Sequence, residues 1–190
     1  MPREVDADQR LADIAAATIA VARTAGTQAV TIRSVATQLG GSTTLVTNYV
    51  RSRAALILNA LDSARDRWER EREDALAAAP ASGRFLALVE WELAATADDA
   101  VLRTFILEVV SNAEFEPDLA DALRREADDL LATLRATARE SGFVAPDAVA
   151  DIAYLAIRGA YLANVDAPQH WTETHTRDVI RAAIDAHPRI

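Results

Sequence analysis

The chain has 190 residues, 51% of them hydrophobic, enough for one large domain or two small ones around a sizeable core. It has no Cys, which excludes a disulfide framework and thiolate metal sites, and its 29 acids against 20 Arg and no Lys give a net charge of −9, which excludes a general nucleic-acid coat protein. Residues 1–6 contain no apolar signal core and no apolar run nears the ~20 residues that span a membrane, so a cytoplasmic protein without membrane contact is expected.

Every segment reads as helix. The spacing of Leu11, Ile14, Ala15 and Val21 or Ala22 predicts a first helix over about 6–24, with Gly26 beyond its end. Thr18 falls on that apolar face, where its hydroxyl can bond a carbonyl one turn back. Thr31 caps a second helix to Leu39, with Ile32, Val35, Ala36 and Leu39 on one face. Gly40 and Gly41 supply a tight corner, and Ser42 caps a short third helix that keeps Leu45 and Val46 for the core and points Thr43, Thr44, Thr47 and Asn48 outward. This is a helix-turn-helix whose second helix is short and polar, a shape that enters a DNA major groove.

Ser52 opens a fourth helix, to near Ala79, whose stretch 65–74 mixes charges as a solvated face does. The run Ala78-Ala79-Pro80-Ala81-Ser82-Gly83 breaks the pattern. A fifth helix follows over about 82–96 and a sixth over about 99–112. Pro117 sits in the first turn of a long seventh helix ending near Ser141, Pro146 opens an eighth to about Asn164, and Thr172 caps a ninth to about Ala186. The fold class is all-α, about nine helices: a three-helix helix-turn-helix domain over 1–53, then a helical bundle over 54–190, with the fourth helix as connector.

Charge is placed unevenly along this order. Between Asp13 and Asp62 there is no acid, while Arg23, Arg33, Arg51 and Arg53 fall inside. Residues 1–53 carry 6 Arg against 4 acids and residues 54–190 carry 14 Arg against 25 acids, so the first part can face a polyanion that would repel the second. Asn48 can pair bidentately with adenine, and the methyl groups of Thr44 and Thr47 can touch a thymine methyl. Ser42 and Thr43 lie at a helix N-terminus that favours a phosphate or base-edge contact. Tyr49, Arg51 and Arg53 suit phosphate, and Thr31 and Arg33 the flanking backbone. Otherwise these are solvated polar residues at an ordinary helical corner.

The run from Arg10 through Ile14, Ala16, Ala17, Gly26, Val30-Thr31-Ile32-Arg33, Val35-Ala36 and Gly40 to Tyr49, Ser52, Arg53 and Leu56 resembles, over about residues 8–58, the DNA-binding domain of the TetR family of bacterial transcriptional regulators. Val50 stands where that pattern has Phe, and Gly41 and Thr44 where it has Val and Gly. The resemblance implies a homodimeric repressor of a palindromic double-stranded DNA operator, released by a small-molecule effector. It also implies an effector cavity among the fifth to eighth helices, which here offer Phe85, Leu88, Val89, Trp91, Glu92, Phe105, Ile106, Glu108, Val109, Tyr154, Arg158 and Tyr161. A carboxylate there, Glu92 or Glu108, would favour a cationic or hydroxyl-bearing ligand. The bland alternative is the usual one: an aromatic stripe at helical spacing is core, and each Glu is half-exposed or paired with an Arg.

The eighth helix sets Ala153, Ala156, Gly159, Ala160 and Ala163 among Ile152, Tyr154, Leu155 and Tyr161, and the ninth adds Val179, Ile180, Ala183 and Ile184. Helices apolar on more than one side need more than one partner. Internal burial is one answer; the other, favoured by the resemblance, is a four-helix bundle across a two-fold axis. No phosphate loop, nucleophile elbow or HExxH motif is present, so no catalytic residue or cofactor is expected. His170-x-x-Glu173-x-His175, with Asp166 upstream, straddles a loop and a helix start and reads as solvated, not as a metal site. A helical adaptor that never touches DNA, or a constitutive DNA binder without a ligand, is the alternative, and neutralising Arg33 and Arg53 separates the adaptor by the salt slope of DNA binding.

Overall fold

The computed structural model describes residues 2–95 and 100–189, and the side chains of these except 2–6, 66 and 95. The helices are α1 (Pro2–Ala25), α2 (Ile32–Gln38), α3 (Thr43–Thr47), α4 (Arg53–Ala78), α5 (Arg84–Ala95), α6 (Ala100–Asn112), α7 (Pro117–Glu140), α8 (Pro146–Asp166) and α9 (Glu173–Asp185). Single 3-10 turns over Thr27–Ala29 and Ala81–Gly83 precede α2 and α5. Among the described residues no strand forms beyond an isolated bridge between Phe143 and Arg189. The predicted end of the fifth helix at Thr96 and start of the sixth at Asp99 lie outside the described residues. Helix α1 begins earlier than its periodicity indicates, and α8 continues two residues past Asn164.

The expected local signals act at the helix ends. Thr31 and Ser34 form a reciprocal capping box: the Ser34 N–H donates to the Thr31 hydroxyl at 3.0 Å and the Thr31 N–H to the Ser34 hydroxyl at 2.9 Å. Ser52 accepts from the Ala55 N–H at 3.0 Å, and Thr172 from the His175 N–H at 3.3 Å. Gly40 has φ 66 and closes the α2–α3 corner, where a side chain would strain the backbone. Thr18, fully buried, donates to the Ile14 carbonyl at 2.8 Å, so its hydroxyl is satisfied inside its own helix.

The chain divides into two compact units, Met1–Trp68 with Asp99–Arg124, and Glu69–Asp98 with Arg125–Ile190. The core of the first is built from Ile14, Val21, Val35, Val46, Val50, Leu56 and Ile57 together with Leu102 and Phe105 of α6 and Leu119 of α7. In the second, Phe85, Leu88 and Val89 of α5 meet Leu134 and Ala138 of α7, Phe143 of the connection after α7, Ala153 and Ile157 of α8, and Ile180 and Ile184 of α9. The rings of Phe85 and Phe143 pack edge to face at 5.3 Å. The mixed-charge stretch of α4 is mostly exposed, as expected of a solvated face, with Trp68 turned to the first core.

Two buried polar atoms, the Arg135 Nε and the Thr176 hydroxyl, are left over among the described residues. The Thr176 hydroxyl in α9 has no hydrogen-bond partner among the described residues although the residue is 5% exposed. Thr176→Val keeps the shape and removes the orphan, so it is expected to raise stability by about 1 kcal/mol, read as a higher urea midpoint at unchanged slope.

Candidate nucleic-acid interface

Helix α3 is a five-residue element seated on the first core by Val46, which is fully buried, and by Leu45, which is partly buried. Val50, the residue that departs from the Phe of the resembled pattern, is 3% exposed and fills that seat from the turn after α3. With these side chains inward, helical geometry turns Thr43, Thr44 and Asn48 outward, and all three are exposed, as are Ser42, Tyr49 and Arg51. Thr47 is half-buried. Ser42 occupies the position before the helix with extended backbone, but its hydroxyl makes no capping bond, unlike that of Thr31. At Gly41 a Cβ would come within 3.1 Å of the Leu45 Cδ1, so the Val of the resembled pattern would need this leucine to move.

Arg33 is exposed on α2, the helix that packs against α3 and α1. Arg53 is placed differently from the expectation of a phosphate contact. Its Nε donates to the Val30 carbonyl at 3.0 Å, one terminal nitrogen donates to the Thr27 carbonyl at 2.9 Å and to Glu108 Oε2 at 3.0 Å, and the other pairs with Glu108 Oε1. The guanidinium is therefore turned into its own unit, and the salt-slope test for an adaptor passes from Arg53 to Arg33 and Arg51. The stretch from 14 to 61 is free of acids in sequence, but the fold brings Glu108 to it from 55 residues beyond Arg53.

The residues expected at an effector cavity are divided between the two units. Phe105 is fully buried in the first core and Glu108 is paired with Arg53, both in the first unit. Phe85, Leu88 and Val89 are fully buried in the second core, the other reading of the aromatic stripe. What remains together in the second unit is a polar group around Glu92. The guanidinium of Arg158 pairs with Glu126 and lies 5.1 Å from the Tyr154 ring centroid, and that of Arg72 lies 6.0 Å from the Trp91 ring centroid. Burial, and then the like charge of Glu126, push the Glu92 carboxyl up from 4.5 to about 7, against the opposing pull of Arg72 and Arg158. For Arg158, burial works to lower the pKa, but the Glu126 carboxylate, with hydrogen bonds to Glu126 and Tyr154, outweighs it and raises the net value. Tyr161 packs at the edge of the second core. A cavity of about 530 Å³ opens in the first unit among Ile19, Ala20, Arg23, Ser63, Arg67 and Leu102, and none of the expected effector residues lines it.

The expected dimer residues also divide. Ile180, Ile184 and Ala160 are interior to the single chain, at 7%, 0% and 5% exposed, because α5, α8 and α9 pack on one another in the second unit. Ile152, Leu155, Gly159, Val179 and Ala183 face out, and Ala156 and Ala163 lie between the two faces. Leu162 and Val165, absent from the expectation, are also exposed. The signal for Leu162 was in the chain: Ile152, Leu155, Gly159 and Leu162 repeat at three and four residues, the seam of a two-helix packing. The rings of His170, Trp171 and His175 cluster at centroid distances of 5.0 to 5.4 Å, His170 edge to face with each of the other two. Among the described residues no group of three or more His, Cys, Asp or Glu could hold a metal ion, and no helix is long and apolar enough to cross a membrane.

No family model matches the sequence, and no curated protein does. Solved structures do. A TetR transcription regulator from Haloarcula marismortui is 21% identical with a TM-score of 0.82, over 95% of this chain and 98% of that one. A transcriptional regulator from Saccharomonospora viridis, solved in complex with choline, is 19% identical with a TM-score of 0.80, over 96% and 100%. A TetR transcriptional regulator from Chloroflexus aurantiacus is 18% identical with a TM-score of 0.74, over 97% and 98%.

Proposed function

We propose that this chain, which has the fold of the TetR-family regulators, is a sequence-specific DNA-binding transcriptional regulator that acts as a homodimer on a palindromic operator. The observation that carries this reading is the outward face of α3, Thr43, Thr44 and Asn48, held up by the buried Val46 in a stretch of 48 residues without an acid. A short polar helix so mounted can enter the major groove, and Arg33 and Arg51 are exposed to meet phosphate beside it. Residues 1–53 then read DNA, residues 54–190 receive the effector and dimerise, and α4 links them.

Two half-sites one helical turn apart, ~34–36 Å, call for two copies. The outward seam of α8 and α9 supports this. Gly159, exposed in mid-helix with nothing within 4 Å of where a Cβ would stand, costs about 1 kcal/mol relative to Ala in an isolated helix, while in a two-fold bundle it lets backbones approach. Repression follows if a seated dimer excludes polymerase and a ligand favours the DNA-incompetent form, by about 1.4 kcal/mol for each tenfold loss of operator affinity. Glu92 beside Trp91, with Tyr154 and Arg158 in the same unit, suits a cationic or hydroxyl-bearing ligand, and the choline complex of the Saccharomonospora viridis structure supports the same class.

The test is selection of genomic fragments by the purified protein at moderate salt, followed by sequencing. Recovery of a short palindrome establishes the reading. Recovery of sequence-blind, salt-sensitive DNA, or of none, moves the adaptor reading ahead. On the recovered palindrome, Asn48→Ala is expected to lower affinity by about tenfold to a hundredfold through one adenine per half-site. Changing that base should weaken the wild type and leave the variant unmoved, as a binding titration on the two duplexes will read.

A further inference from the structure

The reader formed by α2 and α3 occupies residues 31–50, and one side chain holds both of its ends. Arg53 is the first residue of α4, just after the reader. Its guanidinium is bonded to the carbonyls of Thr27 and Val30, just before the reader. The four bonds use Nε and both terminal nitrogens, so four of the five guanidinium N–H groups are engaged. What fixes the plane of that guanidinium is Glu108, whose two oxygens take a bidentate grip from α6. The Glu108 side chain is 13% exposed and that of Arg53 34%, so the pair is shielded more than a surface ion pair. Glu108 also cancels the charge that Arg53 would otherwise offer to phosphate.

We propose that Glu108 is a positioning residue for operator binding: through Arg53 it closes the α2–α3 reader into one rigid seat, without itself touching DNA. The assignment rests on the operator reading above. It has a consequence opposite in sign to simple electrostatics. Removing an acid from the DNA-facing unit should strengthen binding to a polyanion if charge alone matters. If Glu108 holds Arg53 across the two ends of the reader, its removal weakens binding instead.

The experiment compares wild type, Glu108→Gln and Arg53→Lys on the selected palindrome across a salt series, with amide hydrogen exchange on each free protein. Lysine keeps the charge but cannot span two carbonyls and a carboxylate. The expected result is about a tenfold loss of affinity in both variants with the salt slope unchanged. Exchange should rise at residues 31–50 and not in α8, which separates a loosened reader from global unfolding. Affinity equal to or tighter than wild type in Glu108→Gln overturns the proposal. So does unchanged exchange in the reader, or exchange that rises equally in α8. A wild type that selects no palindrome while reader exchange still rises in Glu108→Gln would overturn the operator reading, and the positioning role with it, and leave only a structural staple.

Discussion

Leu155→Glu combined with Leu162→Glu is expected to yield a folded monomer that has lost at least a hundredfold in operator affinity. In the single chain these two residues are 69% and 59% exposed and belong to neither core, so a charge at either position costs little internal packing and stability should stay within about 0.5 kcal/mol of a wild-type monomer. In a two-fold bundle the same positions lie on the seam with Ile152, Gly159, Val179 and Ala183, and four glutamates would face one another across it. Like charges there, with apolar burial lost, leave no favourable interface. A monomer holds one half-site where the dimer holds two, and the second half-site binds at a high effective concentration only while the copies are joined. Sedimentation reads the mass, circular dichroism the helix content, and a titration on the palindrome the affinity. A double variant that remains a dimer would place the interface elsewhere. Gly159→Leu supplies a steric check, since its Cβ meets open space in one chain and a neighbour in a bundle.

Glu92→Gln is expected to stabilise the chain by about 1–3 kcal/mol at pH 8 and to change it little at pH 4. The folded carboxyl is raised from 4.5 to about 7, by burial first and then by Glu126, with Arg72 and Arg158 opposing. Between these two values the folded state holds a proton that the unfolded state has released. Wild-type stability therefore falls as pH rises from about 4.5 through about 7, and levels off above. A shift of this size corresponds to about 3 kcal/mol at full burial, and the residual solvent exposure of the half-buried Glu92 reduces it. Glutamine keeps the shape without the charge, so the pH slope in this window should flatten in the variant. Urea midpoints at pH 4, 6 and 8 check it, and parallel slopes for the two proteins would refute the assignment. In the regulatory reading, the same carboxyl would bind a cationic effector more tightly as pH rises through this window.

What could be read along the chain was what neighbouring residues decide among themselves. The Thr31 and Thr172 caps, the Ser52 start, the Gly40 corner, the Thr18 back-bond and the Pro117 and Pro146 starts each involve partners within a few positions, and all are present. The outward polar face of α3 follows from the same source, because burying Val46 dictates the direction of Thr43, Thr44 and Asn48. Periodicity also showed that α8 and α9 carry more apolar surface than one face needs. It could not say which side is interior, since both sides repeat at three and four residues.

Those choices belong to contacts between residues far apart in sequence. Ile180 and Ile184 are interior because α9 packs on α5 and α8, while Leu155 and Leu162, no less apolar, are left outside. Phe105 and Glu108 join the unit of the reader, and a carboxylate 55 residues away converts Arg53 from a candidate phosphate contact into a brace. The sequence by itself determined the all-helical class, the helix-turn-helix and the side of α3 that faces out, because hydrogen bonds within a helix and its caps are local. Tertiary structure alone decided which charge is cancelled and which apolar stripe is covered, because Coulomb pairing and apolar burial depend on distance in space and carry no mark in chain order.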